Sequence, residues 1–207
     1  MEYNSGNFDK YMSKNPLKRK MVMQLNDKII KICSDLVSKI ALHNNTVRVL
    51  DVGCGEGFVT NLLVSNIVNI DVVGLEYTRE ALEIARKSNP SVQWIQGDIY
   101  QLPFEDETFD IIICTEVLEH LSNPHRAIAE CKRVCKKYIL LTVPNEPWFC
   151  MGNLFALKNV SHLGNPIDHI NHWTYRAFQR FLDKILGNCV YDKSFPWSIA
   201  IWKKGQI

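Results

Sequence analysis

Short apolar runs alternate with stretches of helical periodicity along most of this chain. Runs rich in β-branched residues predict strands, whereas apolar residues three or four positions apart predict helices. The strands predicted in this way cover residues 47–52, 70–75, 92–95, 109–114 and 138–143, with two short strands between 189 and 203 that meet near Phe195 and Pro196. Helices are predicted at 58–68, 78–87, 125–136 and 174–186.

The predicted strands are apolar along almost their whole length. This is the pattern of strands that helices cover on both faces of a sheet. Strands that alternate with helices along the chain form parallel strand–helix–strand units. We therefore expect an α/β fold with a doubly wound, mostly parallel sheet of seven strands.

Two stretches fall outside this alternation. Residues 17–42 carry apolar side chains at helical spacing and predict an amphipathic helix on the main domain. With the polar residues before it, this helix forms an N-terminal helical arm, 1–45. Residues 145–171 are rich in Asn, Pro, His and Gly. Because this segment is longer than an ordinary connection between two elements, we expect a binding loop. We expect a single domain over residues 1–207, with its core at 46–145 and the loop and last strands at 146–207.

The composition narrows the class of protein without naming an activity. The chain has 207 residues, of which 46% are hydrophobic and 22% charged, as in one soluble globular domain. The net charge of +2 is lower than dedicated nucleic-acid-binding proteins usually carry. The seven cysteines are an odd number without a Cys-x-x-Cys motif, and no signal peptide or membrane-spanning run is visible. We therefore expect a cytoplasmic protein with free thiols.

The strongest chemical signal is a glycine-rich segment between the first predicted strand and the next helix. It reads Val-Leu-Asp-Val-Gly-Cys-Gly-Glu-Gly-Phe from Val49 to Phe58. Gly53, Gly55 and Gly57 allow a sharp turn and the close approach of a ligand, and the helix that follows favours an anionic group. No Gly-Lys-Ser/Thr follows, which argues against a nucleoside triphosphate. The Gly-x-Gly-x-Gly spacing also departs from the dinucleotide motif, which argues against an NAD-dependent oxidoreductase.

Three later segments complete a resemblance to a known family. They are Val-Gly-Leu-Glu ending at Glu76, Gln-Gly-Asp-Ile around Asp98, and the segment from Phe109 to His120, each after or within a predicted strand. Together with the glycine loop, and in this order, they resemble the motifs of the class I, Rossmann-like S-adenosylmethionine-dependent methyltransferases, in their small "type 11" branch. The resemblance covers about residues 47–145. An Asn-His-Trp-Thr segment before the last predicted helix is also similar to that branch.

This resemblance implies an S-adenosylmethionine site with a role for each matching residue. Asp51 would help to hold the glycine loop and the amino group of the methionine moiety, whose carboxylate the loop would take. Glu76 would accept both ribose hydroxyls. Asp98 would meet the adenine amino group, with Ile99 packed near the base, and Thr115 would lie beside the methionine moiety and its reactive methyl. Since all these residues are present, a non-catalytic binding protein is disfavoured.

The candidates for catalysis follow the fourth predicted strand or lie in the long loop. If a helix begins near Glu116, then Glu116, Glu119 and His120 share one helix face, where two carboxylates and an imidazole can bind a divalent cation. The resemblance extends to relatives that use Glu-x-x-Glu-His as metal ligands with a later histidine, a place that His169 takes here. A metal would lower the pKa of an acceptor hydroxyl, but the same residues can simply cap and solvate the turn. We take Glu116, His120 and His169 as candidate catalytic residues and leave the metal open.

The methyl acceptor stays open between two classes. Trp148, Phe149 and Trp173, in or beside the long loop, suit an apolar or planar small molecule, although anchors under a loop would look the same. The alternative is an RNA or protein acceptor. The near-neutral charge argues mildly against RNA, and Asn-Pro-Pro-Tyr, typical of adenine or glutamine methylation, is absent. Tyr11 and the basic residues 18–20 would either fold over the cofactor or form a separate arm. We expect a small-molecule acceptor.

Overall fold

Seven strands of the chain pair side by side in one sheet. The fold is described from a computed structural model, which describes residues 15–41, 45–155 and 168–205. The strands are β1 (Val47–Val52), β2 (Ile70–Glu76), β3 (Gln93–Gln96), β4 (Phe109–Thr115), β5 (Cys135–Pro144), β6 (Cys189–Ser194) and β7 (Trp197–Lys203). The helices are α1 (Pro16–Ile40), α2 (Phe58–Asn66), α3 (Arg79–Ser88), α4 (Pro124–Val134), α5 (Glu146–Phe155) and α6 (Tyr175–Leu186).

The strand order in the sheet is β3-β2-β1-β4-β5-β7-β6. The pairs among β1 to β5 are parallel, and β7 runs antiparallel to both β5 and β6. The chain moves outward from β1 to β3 and then crosses back to β4, on the other side of β1. At such a reversal a crevice opens beyond the carboxyl ends of the strands, and ligands of doubly wound sheets bind there. The expected doubly wound, mostly parallel sheet of seven strands is confirmed.

Alternating side chains of the central strands supply the two larger apolar cores of the described residues. Within β4, Ile111 and Ile113 belong to the core that α1 and α2 cover. Ile112 and Cys114 belong to the core that α4 and α6 cover. All four side chains are fully buried. A strand buried on both faces has no polar alternation, which explains why it reads as a continuous apolar run.

The N-terminal helix α1 lies on the first of these faces. Leu25, Ile29 and Leu36 are buried along one stripe of the helix, as the apolar spacing predicts. The helix begins after Asn15, whose side-chain oxygen accepts hydrogen bonds from the first backbone amides of the helix. Tyr11 and the polar start of the arm lie outside the described residues. Neither α1 nor any other helix of the described part is long and apolar enough to cross a membrane.

The main departure from the predicted elements follows β5. Helix α5 occupies the first part of the segment 145–171, which the sequence pattern predicts as one long loop. Pro147 stands in the first turn of this helix, where its missing amide N–H costs nothing, so a proline that indicated a loop also fits a helix start. A smaller difference is that β5 begins at Cys135, directly after α4 ends at Val134.

Candidate functional site

The glycine loop lies at the reversal between β1 and β4. Gly53, Gly55 and Gly57 have φ angles of 73°, 54° and 81°, a region that side-chain-bearing residues rarely adopt. The amides of Gly53 and Cys54 both donate to the carbonyl of Leu75, at 2.7 and 3.1 Å. The loop is therefore bent back against the end of β2, and the first turn of α2 follows directly on it.

Glu76, the last residue of β2, ties the glycine loop to the next connection. Its Oε2 accepts a hydrogen bond from the Gly55 amide at 3.1 Å, and its Oε1 accepts one from the Thr78 amide at 2.8 Å. Each carboxylate oxygen has a second lone pair. The same carboxylate can therefore hold the loop and still accept hydroxyl groups of a ligand; the ribose role expected of Glu76 stays a prediction.

A cleft of about 450 Å³ opens beside Glu76, between the ends of β2 and β3. Its volume lies within the range of small-molecule sites. At its far side the Asp98 carboxylate accepts a hydrogen bond from the Tyr100 amide at 2.8 Å. Ile99 is buried directly after it. The residues that line the cleft are Tyr77, Thr78, Arg79, Glu80, Gln96, Gly97 and Asp98.

Asp51 lies beneath the loop with 1% of its surface exposed. Its Oδ2 accepts a hydrogen bond from the Thr60 hydroxyl at 2.5 Å, which anchors α2, whereas Leu75 and Glu76 hold the loop itself. Its Oδ1 has no hydrogen-bond partner among the described residues. Burial raises the pKa of Asp51 to about 6, against the lowering effect of the Thr60 bond. A buried oxygen in this state is costly, and a cationic ligand group would satisfy it.

Thr115 and Glu116 stand at the carboxyl end of β4, but Glu116 differs from the prediction. No α-helix begins there: Glu116 has a φ of 58°, and only a short 3₁₀ turn, Leu118–His120, follows. Its Oε2 accepts a hydrogen bond from the Trp197 indole N–H at 2.7 Å. Because the backbone turns at this left-handed residue, Glu116 does not share a helix face with the Glu-His pair that follows it. That part of the prediction is wrong.

Glu119, His120 and His169 come together, as the sequence analysis predicts. One potential ligand atom from each lies within 4.8 Å of the others. Glu119 is buried, and the rings of His120 and His169 meet edge to face with centroids 4.9 Å apart. One carboxylate and two imidazoles form a donor set that can bind a divalent cation. Glu116, predicted as a fourth ligand, lies outside this group.

The segment that carries His169 is pinned to the 3₁₀ turn. The amides of Ile170 and Asn171 both donate to the carbonyl of Glu119, at 2.8 and 2.9 Å. The Asn171 side chain adds two hydrogen bonds to carbonyls of the same turn. His120 contacts the segment in return, since its Nδ1 lies 3.0 Å from the Asp168 carbonyl oxygen. These bonds bring together residues that lie far apart in the sequence.

Glu146 is the residue of this site that the sequence analysis missed. It begins α5, and its Oε1 lies 2.7 Å from Nδ1 of His169, while its Oε2 accepts a hydrogen bond from the Cys150 thiol at 3.0 Å. Burial raises the pKa of this carboxyl, but the bonds from His169 and Cys150 and the neighbouring histidine charges outweigh burial, so the pKa lies below its ordinary value. The only sequence signal is an acid two residues after the end of β5, and candidates were expected at such strand ends.

Two exposed aromatic rings lie close together near the start of α5. Trp148 is 51% and Phe195 61% exposed, and their ring centroids lie 6.0 Å apart. Trp148 belongs to the first turn of α5 and Phe195 to the β6–β7 turn. The two elements are joined because the Asn145 amide donates to the carbonyl of Pro196 at 2.8 Å. An exposed apolar pair of this kind suits contact with an apolar ligand.

The site thus has two ends along one edge of the sheet. The cleft and the glycine loop occupy the ends of β1, β2 and β3, and the carboxylate–imidazole cluster lies beyond β4 and β5. The two ends adjoin directly, since a Cβ placed on Gly53 would lie 2.5 Å from Cγ2 of Val117, in the turn after β4. The first end has groups for a polar ligand with hydroxyls, an anionic group and a cationic group. The second can hold a cation or receive a proton.

Comparisons with known sequences agree with this geometry. Residues 50–140, which include the predicted cofactor residues from Asp51 to Thr115, match the family model described as "Methyltransferase domain". The chain is 35% identical over 101 residues to a demethylmenaquinone methyltransferase of Thermotoga maritima, covering 49% of this chain and 44% of that protein. It is 32% identical over 126 residues to a chloroplastic 2-methyl-6-phytyl-1,4-hydroquinone methyltransferase of Oryza sativa, covering 59% of this chain and 38% of that protein. The chain spans less than half the length of these two relatives.

A solved structure shows the same architecture. The crystal structure of the YcgJ protein from Bacillus subtilis superposes with a TM-score of 0.55 at 26% sequence identity. The superposition covers 76% of this chain and 68% of that one. The similarity therefore extends beyond the segment that matches the family model.

Proposed function

Because the chain belongs to the class I, Rossmann-like methyltransferases that use S-adenosylmethionine, we propose that it transfers the methyl group of this cofactor to a small-molecule acceptor. The observation that carries the proposal is the glycine loop held by Glu76 beside a cleft of about 450 Å³. This arrangement offers a carboxylate for ribose hydroxyls, a loop for a carboxylate and a pocket for a base within one edge of the sheet.

Each predicted cofactor residue has a role in the proposed complex. Asp98 accepts the adenine amino group, with Ile99 near the base, and Glu76 accepts the ribose hydroxyls. The loop and the first turn of α2 take the methionyl carboxylate. The Oδ1 atom of Asp51 accepts the methionyl ammonium group, which would supply the partner that this buried oxygen lacks among the described residues. The reactive methyl then lies beside Thr115, toward the second end of the site.

The small-molecule class of the acceptor rests on three observations. The two relatives named above are methyltransferases of quinone-type small molecules by their names. Trp148 and Phe195 form an exposed aromatic pair beside the second end of the site. The net charge of +2 supplies little attraction for a polyanion. An apolar acceptor that carries a hydroxyl group or an aromatic ring fits these surroundings best.

The proposed methyl transfer depends more on alignment of the two substrates than on a strong acid or base. Methyl transfer from a sulfonium is an in-line displacement, so the protein accelerates it by aligning the acceptor with the methyl carbon and excluding water. The C–S bond breaks as the new bond forms, and S-adenosylhomocysteine leaves. A hydroxyl acceptor must also lose its proton, which His120 or His169 would receive in this proposal.

The proposal is tested by following a labelled methyl group. The protein is incubated with methyl-labelled S-adenosylmethionine and, separately, with a panel of hydroquinones and catechols, with total RNA and with a protein mixture. We expect label in at least one small molecule and none in the polymers. Label found only in RNA or only in protein would overturn the small-molecule class while keeping the methyltransferase assignment.

A second proposal concerns a divalent cation at Glu119, His120 and His169. The closeness of three potential ligand atoms, within 4.8 Å of one another, favours it. Such an ion would lower the pKa of an acceptor hydroxyl and orient it. His120→Ala and a chelator should then each reduce methyl transfer, without an additive effect. Full activity of the His120→Ala variant in the presence of a chelator would refute the metal.

A further inference from the structure

Glu146 and His169 form a carboxylate–imidazole pair in the interior of the protein. Their side chains are each 7% exposed, and Oε1 of Glu146 lies 2.7 Å from Nδ1 of His169. The two residues come from different parts of the chain, 23 positions apart. A short contact between buried polar groups of this kind fixes the orientation of both.

The chemistry of the pair determines which ring nitrogen of His169 carries the proton. An ionised carboxylate only accepts hydrogen bonds. The Cys150 thiol donates to its other oxygen, at 3.0 Å, which supports the ionised form. Nδ1 of His169 must therefore be the donor to Glu146. In the neutral ring this leaves Nε2 with its lone pair.

The backbone holds the pair in register. The Glu146 amide donates to the carbonyl of Trp173 at 3.0 Å, so the start of α5 is bonded to the segment that carries His169. His120 is fixed in a parallel way, because its Nδ1 lies 3.0 Å from the Asp168 carbonyl oxygen, which also only accepts. Both rings of the cluster thus have an acceptor at Nδ1. An acceptor behind a histidine ring is the usual device for fixing its tautomer and raising the basicity of Nε2.

We propose that Glu146 is a positioning residue, which holds His169 in the Nδ1-protonated tautomer and so leaves the lone pair of the ring on Nε2. This inference deepens the proposed function, on which its catalytic meaning rests, since a hydroxyl acceptor or a cation needs that lone pair. It also explains why the first residue of α5 is an acid that bonds back to the segment 168–173 instead of facing solvent.

The test is the tautomer of His169, measured by nitrogen NMR on protein labelled in its histidine rings, at a pH where the ring is neutral. A His169→Gln variant identifies the resonances. In the unaltered protein we expect the proton on Nδ1. In Glu146→Leu, which is similar in size but accepts no hydrogen bond, we expect the proton to move to Nε2 in most molecules. A proton on Nε2 in the unaltered protein, or an unchanged tautomer in Glu146→Leu, overturns the proposal.

Cys150→Ala is the matched control, because it removes the other hydrogen bond to the same carboxylate. We expect it to leave the proton on Nδ1, and a tautomer change as large as that of Glu146→Leu would contradict a specific role for the Glu146–His169 contact.

A binding measurement verifies that both variants fold. Their affinity for S-adenosylhomocysteine is expected to lie within about twofold of that of the unaltered protein. Should Glu146→Leu not fold, the spectrum of the unaltered protein still decides. Failure of the unaltered protein to bind S-adenosylhomocysteine would count against the proposed function. It would leave the tautomer result standing, because the Glu146–His169 contact does not depend on that function.

Discussion

At the scale of single residues, the site contains carboxylates whose surroundings differ sharply. Asp51 is buried with one oxygen bonded to Thr60 and a raised pKa. Glu76 is partly exposed, and both its oxygens accept backbone amides. Glu146 is buried, yet its histidine and thiol donors keep its pKa below the ordinary value. Asp51 and Glu146 are both buried, yet their pKa values move in opposite directions, because Glu146 has histidine and thiol donors that outweigh burial and Asp51 has only Thr60 as a donor among the described residues.

Replacing Asp51 by Asn should make the ligand-free protein more stable at neutral pH. Burial raises the pKa of Asp51 from 3.8 to about 6, so the cost of its charge is absent below about pH 4, grows between about pH 4 and 6 and is complete above that. A shift of this size corresponds to at most about 3 kcal/mol of unfolding free energy. Denaturant unfolding of both proteins from pH 4 to pH 7 measures the difference. An offset between them that does not change with pH would contradict this account of Asp51.

Glu76→Gln should weaken binding of S-adenosylhomocysteine by about 10–100-fold, the effect of one or two charge-assisted hydrogen bonds. The amide nitrogen of Gln is a donor, and it would face the N–H of either Gly55 or Thr78. Calorimetric titration measures the affinity. Glu83→Gln, on the exposed face of α3 where Glu83 pairs with Arg79, is the control and should change the affinity little. Equal affinities of the Glu76→Gln and Glu83→Gln variants for S-adenosylhomocysteine would contradict a role of Glu76 in binding the cofactor.

At the scale of elements, the sequence predicts best those strands and turns that depend on the local pattern of apolar residues and glycines. Strands buried on both faces read as apolar runs, so the central strands β1, β2, β4 and β5 follow from the pattern. The glycine loop can likewise be recognised from a short stretch of sequence, Gly53 to Gly57. Glu116 was misplaced because a left-handed backbone at a strand end leaves no mark in a periodic pattern. Glu146 was missed because its partner, His169, is brought to it by bonds to the 3₁₀ turn, which only the tertiary structure specifies.

The glycine loop between β1 and α2 should tolerate a side chain at Gly57 poorly. Gly57→Ala should destabilise the protein by about 2–4 kcal/mol, since it adds backbone strain at a φ of 81° to a contact of 2.5 Å between the new Cβ and the Trp94 ring. Gly187→Ala separates the two effects, because Gly187 has a φ of 79° and no atom within 4 Å of its Cβ position. It should cost only about 1–2 kcal/mol. Equal losses in denaturant unfolding would show that Trp94 does not pack against the loop.

At the scale of the whole molecule, one sheet serves two tasks. Its reversal between β1 and β4 divides the carboxyl edge into a cleft with the glycine loop on one side and the cluster of Glu119, His120 and His169 on the other. The sequence predicts cofactor roles for residues on the first side one by one, and these roles stay predictions. On the second side it predicts only part of the cluster, because that side is assembled from the turn after β4, helix α5 and the segment before α6.

The most direct test of the central claim is a thermal shift with three ligands. S-adenosylmethionine and S-adenosylhomocysteine at about 100 times their dissociation constants should each add about 2.7 kcal/mol of stability, which is a rise in Tm of roughly 5–10 °C for a domain of this size. NAD should add none, because the Gly-x-Gly-x-Gly spacing departs from the dinucleotide motif. Stabilisation by NAD alone, or by none of the three ligands, would contradict the assignment of this edge of the sheet as an S-adenosylmethionine site.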